Sequence, residues 1–178
     1  MTNQILIAGF GGQGVLFAGK LLAYKGMYEG KELSWLPSYG PEMRGGTANC
    51  SVIISDTPVG SPIVDAPDVL MVMNLPSFDK YENAVVKGGK TFVDSSFIDR
   101  KAVRDDVDAY YIPATKMAAE AGVPTLANMI LLGKLIKETG AVEFAGLEDV
   151  FKKIVSAKRA DLIDANLKAL ELGYNYKD

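Results

Sequence analysis

The sequence predicts an α/β fold: a mostly parallel β-sheet with helices on both faces, formed by residues 1–178 as one domain. Three observations favour this class. Near the start, an apolar run breaks into glycines and a helical pattern follows at once. Further along, runs that are apolar at consecutive positions, typical of strands buried on both faces, alternate with stretches of helical periodicity. A chain of 178 residues can also bury a core without disulfides or metals.

The first element is the apolar run at residues 5–8, which predicts a buried strand. It leads into Gly9, Gly11 and Gly14, whose G-x-G-x-x-G spacing is typical of a Rossmann-like turn from strand to helix. The following helix is predicted over residues 14–28. Unpaired N–H groups at its start favour an anion. The loop therefore either binds a phosphate or serves only for packing or a subunit contact.

The later elements follow from changes in hydrophobic periodicity. Further strands are predicted at residues 33–36, 47–54, 59–64, 68–74, 91–94 and 108–112, with 47–54 and 59–64 forming a hairpin. Helices are predicted from 76 to about 86, over 115–121, from 124 onward, and near 147–154 and 162–170. Two prolines and three glycines keep the stretch 37–46 out of regular structure.

Ligands of parallel α/β sheets gather outside the carboxyl ends of the strands. In this sequence those ends are residues 9–14, 37–46, 74–77, 94–96 and 113–115. Glycines and hydroxyl-bearing residues are concentrated there. We therefore expect this edge of the sheet to be the functional one.

Composition excludes several kinds of chemistry. The net charge of −3 gives no support for binding to nucleic acid or a membrane surface. Histidine is absent, and the single cysteine, Cys50, can neither ligate an iron–sulfur cluster alone nor form an internal disulfide. Strand alternation predicts that Cys50 is a buried small hydrophobe. No apolar run is long enough to span a bilayer and no basic region precedes the first strand, so a cytoplasmic location is expected.

A stand-alone NAD(P)-binding Rossmann oxidoreductase is the alternative function. Such a site needs an acidic residue at the end of the second strand. Glu29 and Glu32 have roughly the right separation from the glycines, but both precede the strand at 33–36. Pro37 or Ser38 occupies the position where the acid should be. Neither a Walker loop nor the Gly-Asp-Gly of a thiamine diphosphate site occurs, so no self-sufficient catalytic apparatus is visible.

Arg44, with Gly45 and Gly46, is a second candidate for anion binding. A guanidinium beside two flexible peptide N–H groups could hold a phosphate or a carboxylate. The alternative is an ion pair at an interface, or a hydrogen bond that fixes the long loop.

Two motifs in this order, Gly9-Phe10-Gly11-Gly12-Gln13-Gly14 and Ser38-Tyr39-Gly40-Pro41-Glu42-Met43-Arg44-Gly45-Gly46-Thr47, closely resemble the gamma subunit of 2-oxoacid:ferredoxin oxidoreductases. The resemblance covers most of the chain. It implies an enzyme that oxidatively decarboxylates a 2-oxoacid with coenzyme A, forming acyl-CoA, carbon dioxide and reduced ferredoxin. It also implies alpha, beta and ferredoxin-like delta partner subunits, which hold thiamine diphosphate, magnesium and the iron–sulfur clusters.

In this family the gamma part completes the complex, so we expect no catalytic residue and no metal ligand in this chain, and coenzyme A as the co-substrate near it. The implied contact residues are Gly9, Gly11, Gly12, Gln13, Gly14, Ser38, Tyr39, Arg44, Gly45 and Gly46. The stretch 42–47 is more similar to the 2-oxoglutarate and branched-chain types than to the pyruvate type, and an indolepyruvate-type complex stays open.

Overall fold

The computed structural model of the protein describes residues 1–38 and 47–177, with the backbone alone at residue 47. A six-stranded sheet is covered by helices. The strands are β1 (Thr2–Phe10), β2 (Glu32–Pro37), β3 (Thr47–Ser55), β4 (Val69–Val72), β5 (Lys90–Asp94) and β6 (Asp108–Ile112). The helices are α1 (Val15–Tyr28), α2 (Leu75–Tyr81), α3 (Ala114–Glu120), α4 (Ala127–Thr139), α5 (Leu147–Ile154) and α6 (Asp161–Tyr174).

The strand order is β2-β3-β1-β4-β5-β6. Strands β1, β4, β5 and β6 pair in parallel, whereas β3 runs antiparallel to both of its neighbours, β1 and β2. Five of the six strands therefore point the same way. The predicted α/β class, with a mostly parallel sheet, is confirmed. The sequence did not predict that β3 runs opposite to the other strands.

The larger core lies on one face of the sheet. Alternate residues of β1 and β4, such as Ile5, Ile7 and Met71, are fully buried there. Helices α1 and α4 cover this face, and α6 packs on α4 through a very close approach. A Cβ at Gly173 would lie 1.7 Å from the carbonyl oxygen of Ile130, so only glycine permits this helix spacing.

The opposite face has a smaller core, in which Leu6, Leu70 and Val93 of the sheet pack with Phe78 of α2. The Arg100 guanidinium lies 4.2 Å from the centre of the Phe78 ring and pairs with acidic side chains of α2 and the turn after it. Helices thus lie on both faces, as predicted. No helix in the described part of the chain is long and apolar enough to cross a membrane.

One predicted strand is wrong. Residues 59–64 form no strand and are largely exposed. Both edges of β3 are already occupied, by β1 and by β2, so the expected hairpin partner has no free edge to join. Pro62 also removes a backbone donor from the segment.

Three predicted helix boundaries also differ. The helix expected to reach residue 86 ends at Tyr81 and is followed by one 3-10 turn, Glu82–Ala84. The helix expected over 115–121 begins one residue earlier, at Ala114, and ends at Glu120. The long helix expected at Pro124 begins at Ala127.

Candidate ligand-binding edge

The glycine loop joins the carboxyl end of β1 to the start of α1, as its spacing predicts. Its conformation is held by the Gln13 side chain. Gln13 Oε1 accepts a hydrogen bond from the backbone N–H of Phe10 at 2.6 Å, and Gln13 Nε2 donates to the carbonyl of Met73 at 3.2 Å. Both ends of this carboxamide are therefore engaged within the chain. Gln13 fixes the loop against the end of β4.

Two of the glycines are needed for packing. A Cβ at Gly9 would lie 2.6 Å from Gln13 Oε1. Gly14 has φ 76° and ψ 22°, in the left-handed region, and a Cβ there would lie 2.3 Å from Asn128 Nδ2. Gly12 differs: its φ is +92°, and nothing lies within 4 Å of its Cβ position. The backbone is thus open to approach at Gly12.

At the start of α1, no side chain caps the free backbone N–H groups or offsets their partial positive charge. The helix has no side-chain cap and no acidic residue in its first turn. The N–H groups of Val15, Leu16 and Phe17 have no intrahelical partner, and the helix dipole adds partial positive charge there. These residues line a shallow cavity of about 250 Å³ together with Gly11, Gly12 and Ala48. The arrangement suits an anionic group but holds no side chain that could donate or accept a proton.

Asn128 holds the first turn of α1 from the side. Its Nδ2 donates to the Gly14 carbonyl at 3.1 Å across a separation of 114 residues. Sequence reasoning missed this contact. The available signal was an amide side chain in the otherwise apolar beginning of a predicted helix.

Ser38 lies at the same edge of the sheet, beyond β3. Its backbone N–H donates to the Asn49 carbonyl at 2.8 Å, and it lines a second shallow cavity with Pro37 and Ser51. The register Phe10↔Thr47 brings the start of β3 beside the glycine loop. Tyr39, Arg44, Gly45 and Gly46, the other predicted contact residues, lie outside the described residues.

At the same edge of the sheet, a buried carboxylate connects two of the predicted strand ends, residues 94–96 and 113–115. Asp94, at the end of β5, accepts hydrogen bonds from Thr115 Oγ1 at 2.6 Å and from the Ser96 N–H at 3.1 Å. These contacts join the end of β5 to the start of α3. Asn74, at the end of β4, caps α2 by accepting from the Ser77 N–H at 2.8 Å. Both side chains thus stabilise the edge.

Cys50 is fully buried, as predicted. Burial raises the pKa of its thiol to about 12. A Cβ at Gly19 would lie 2.4 Å from Cys50 Sγ, so α1 lies directly on this sulfur. A thiol in this setting is not a nucleophile. Among residues 1–38 and 47–177, no group of histidine, cysteine, aspartate and glutamate side chains is arranged to hold a metal.

The acids considered for a nicotinamide site lie at the wrong edge. Glu32 begins β2, which runs in the same direction as β1, so it lies at the end of the sheet away from the glycine loop. Glu29, at the end of α1, pairs with Lys25 at 2.8 Å. The geometry therefore provides no ribose-binding carboxylate among these two.

The sequence from residue 4 to residue 176 matches the family described as pyruvate ferredoxin/flavodoxin oxidoreductase. Subunit VorA of the ketoisovalerate oxidoreductase of Methanothermobacter marburgensis is 41% identical over 97% of this chain, which spans only 36% of VorA's length. Subunit KorC of the 2-oxoglutarate synthase of Methanocaldococcus jannaschii is 36% identical over 98% of this chain and 93% of KorC.

Solved structures show the same fold. The gamma subunit of the keto/oxoacid ferredoxin oxidoreductase from Geobacter sulfurreducens superposes with a TM-score of 0.82 at 29% identity, covering 97% of this chain and 96% of that one. The 2-oxoglutarate:ferredoxin oxidoreductase from Magnetococcus marinus, with 2-oxoglutarate, coenzyme A and succinyl-CoA bound, gives a TM-score of 0.83 at 22% identity. There the match covers 99% of this chain and 32% of the other. The predicted resemblance is confirmed: the chain belongs to the pyruvate ferredoxin/flavodoxin oxidoreductase family, as a gamma-type domain.

Proposed function

We propose that this chain is the gamma component of a 2-oxoacid:ferredoxin oxidoreductase. The complex would convert a 2-oxoacid, coenzyme A and two oxidised ferredoxins into acyl-CoA, carbon dioxide, two reduced ferredoxins and a proton. Full-length similarity to KorC supports this role. The VorA relative is nearly three times as long, so the same unit also occurs within a larger chain.

Thiamine diphosphate, magnesium and the iron–sulfur clusters are assigned to alpha, beta and ferredoxin-like delta partners. This chain's own residues do not fit them. Its one cysteine is buried beneath α1, and it has no histidine. Cluster ligation needs several thiolates. The electrons of the reaction would therefore pass through partner subunits only, in a cytoplasmic complex where ferredoxin and coenzyme A are available.

The chain's own part is to cover the site where coenzyme A binds and to contact its phosphates. The observation that carries this proposal is the uncapped start of α1 beside the open backbone of Gly12. Arg44 would add a guanidinium. It precedes Thr47 by three residues in the sequence, and Thr47 pairs with Phe10 at the glycine loop. The Magnetococcus marinus relative has coenzyme A bound.

The same edge carries apolar side chains suited to a subunit contact. Phe10 is the last residue of β1, and Leu75 and Phe97 follow the ends of the neighbouring strands β4 and β5; the three are 41%, 37% and 58% exposed. Exposed apolar residues in a group are typical of protein interfaces. We infer that the catalytic partner docks here, so that the glycine loop faces its active site.

The substrate is proposed to be 2-oxoglutarate or a branched-chain 2-oxoacid. VorA and KorC, the relatives described above, are named for these two classes. Ferredoxin reduction by the complex with each 2-oxoacid, including pyruvate and indolepyruvate, decides the class. Preference for pyruvate or indolepyruvate would contradict this assignment without affecting the gamma role.

The decisive experiment is co-expression of the chain with the proposed alpha, beta and delta subunits, which we expect to be encoded in neighbouring reading frames, followed by steady-state kinetics. Arg44→Ala should raise the KM for coenzyme A by about tenfold, the effect of losing one charged phosphate contact, with the KM for the 2-oxoacid unchanged. Gly12→Ala should raise the same KM, because its methyl group would occupy the open approach to the loop backbone. Gly60→Ala, in open space, is the matched control. An unchanged KM for coenzyme A with intact assembly would refute the phosphate contact.

A separate measurement tests the docking edge. Phe97→Glu places a charge in the proposed interface and should release the chain from the complex on size exclusion. Val103→Glu introduces the same charge at another exposed apolar position and should not. Failure of the wild-type chain to associate with thiamine-dependent partners, or tight NAD(P) binding by the chain alone, would overturn the gamma assignment.

A further inference from the structure

The glycine loop contains a four-residue turn, residues 10–13, that Gln13 closes in two ways. The backbone N–H of Gln13 donates to the Phe10 carbonyl at 3.2 Å, and its side-chain Oε1 accepts from the Phe10 N–H at 2.6 Å. The third residue of the turn, Gly12, has φ +92°, the positive value that a type II turn requires at this position. A reciprocal pair of hydrogen bonds therefore joins the first and last residues of the turn.

A further hydrogen bond of the same side chain fastens this turn to the sheet. Gln13 Nε2 donates to the Met73 carbonyl at 3.2 Å, across a separation of 60 residues. Met73 directly follows β4, and its own N–H donates to the carbonyl of Ala8 in β1 at 3.0 Å. The acceptor of the Gln13 amide is thus held by two neighbouring strands. Gln13, which is half-buried, links the turn to a rigid part of the fold.

The two central residues of the turn, Gly11 and Gly12, line the shallow cavity at the start of α1. Within residues 1–38 and 47–177, neither of their N–H groups forms a backbone hydrogen bond. Glycine has the most conformational freedom of any residue. Two adjacent glycines that were not already fixed would therefore lose entropy on binding a ligand, and the affinity would fall accordingly.

We propose that Gln13 is a positioning residue, whose two side-chain hydrogen bonds hold the N–H groups of Gly11 and Gly12 in the orientation that receives a phosphate. This role rests on the proposed function, in which the glycine loop contacts a phosphate of coenzyme A. Gln13 acts on the ligand through the loop backbone, whereas the family resemblance implies a direct contact. Because the turn is ordered before the ligand arrives, binding does not have to fix two glycines.

Gln13→Met tests this role in the assembled complex, because methionine is of similar length but has no N–H donor and only a weak acceptor. The KM for coenzyme A should rise by about fivefold, the effect of losing one hydrogen bond. The kcat at saturating coenzyme A and the KM for the 2-oxoacid should stay unchanged. Gln4→Met is the matched control: it makes the same substitution at a half-buried position near the other end of β1 and should alter none of these constants.

Amide hydrogen exchange in the full chain, measured without coenzyme A, separates positioning from direct contact. In Gln13→Met the Phe10 N–H loses its acceptor, so its exchange rate should rise by about fivefold or more. Gln13→Asn is the second variant, used if Gln13→Met does not assemble. Its side chain is one methylene shorter and cannot keep both hydrogen bonds, so it should raise the KM for coenzyme A in the same way.

Two results would overturn the positioning role alone. A raised KM for coenzyme A with unchanged exchange at Phe10 would show that Gln13 contacts the ligand itself. Faster exchange with an unchanged KM would show that the orientation of the loop does not affect coenzyme A binding. In both cases the phosphate contact stands if Arg44→Ala still raises that KM. If Arg44→Ala and Gly12→Ala leave it unchanged, the phosphate contact of the proposed function fails, and the positioning role fails with it.

Discussion

Replacing Gly14 by alanine tests the start of α1, on which the candidate edge depends. Gly14 has φ 76° and ψ 22°, and a Cβ there would lie 2.3 Å from Asn128 Nδ2. The alanine methyl group would therefore meet two separate obstacles: a left-handed backbone conformation and an occupied space. Both can be given a magnitude.

The left-handed conformation costs a non-glycine residue about 1–2 kcal/mol. The methyl group also forces the Asn128 carboxamide away and breaks its 3.1 Å hydrogen bond to the Gly14 carbonyl, a loss of about 1 kcal/mol. Gly14→Ala should therefore lower the free energy of unfolding by about 2–3 kcal/mol. For a chain of this size that corresponds to a fall in Tm of about 4–12 °C.

Urea unfolding of four proteins separates the two contributions: wild type, Gly14→Ala, Asn128→Ala and the double variant. Without the Asn128 carboxamide, Gly14→Ala should cost only the backbone strain, so the coupling energy is about 1 kcal/mol. Gly12→Ala is the matched control, because its φ is also positive but its Cβ position is open. If Gly14→Ala costs no more than Gly12→Ala, and the cycle shows no coupling, the proposed clamp is refuted.

Three further measurements have expected outcomes. Gly173→Ala should destabilise the chain by about 3 kcal/mol or more through overlap with the facing helix backbone, whereas Gly60→Ala should change stability by less than about 1 kcal/mol; equal denaturation midpoints would contradict the α4–α6 packing. Cys50, with its thiol pKa raised to about 12 by burial, should react with Ellman's reagent only when urea unfolds the chain, and fast native labelling would show it exposed. Lys31 and then the terminal ammonium lower the pKa of Asp56 from 3.8 to about 2, so the ion pairs stabilise the fold above about pH 4, and this contribution is lost as pH falls toward 2. Asp56→Asn should flatten that part of the acid unfolding curve, and an unchanged curve would show that the pair has no effect.

Local patterns predicted the elements well where the hydrophobic signal is strong. The strand predicted at 108–112 is β6 without a shift, and α1 begins one residue after the predicted start. The direction and neighbours of β3 were beyond such reasoning. A strand pattern indicates which residues are buried, but its partners lie far away in sequence, as the register Phe10↔Thr47 illustrates. The false strand at 59–64 has the same origin, because apolar residues near a turn indicate a hairpin only if an edge is free.

The candidate edge was likewise predictable only in its local part. Glycine spacing identified the loop, since backbone conformation at Gly14 depends on its own residue type. The contacts that hold the loop, from Gln13 to Met73 and from Asn128 to Gly14, span 60 and 114 residues. A side-chain amide can bond to almost any backbone group, so its sequence position alone does not reveal which one it reaches.

The hydrogen bonds of the glycine loop also limit what this edge can do. Because Gln13 uses both ends of its carboxamide to fix the loop, the groups that remain for a ligand are backbone N–H groups at the start of α1 and the open backbone at Gly12. Such groups stabilise negative charge but cannot take up a proton or an electron. An edge of this composition can hold a phosphate in place while the reaction proceeds elsewhere. Under the proposed function, a variant that disturbs only this loop should alter the KM of the complex for coenzyme A and leave decarboxylation of bound 2-oxoacid unaffected.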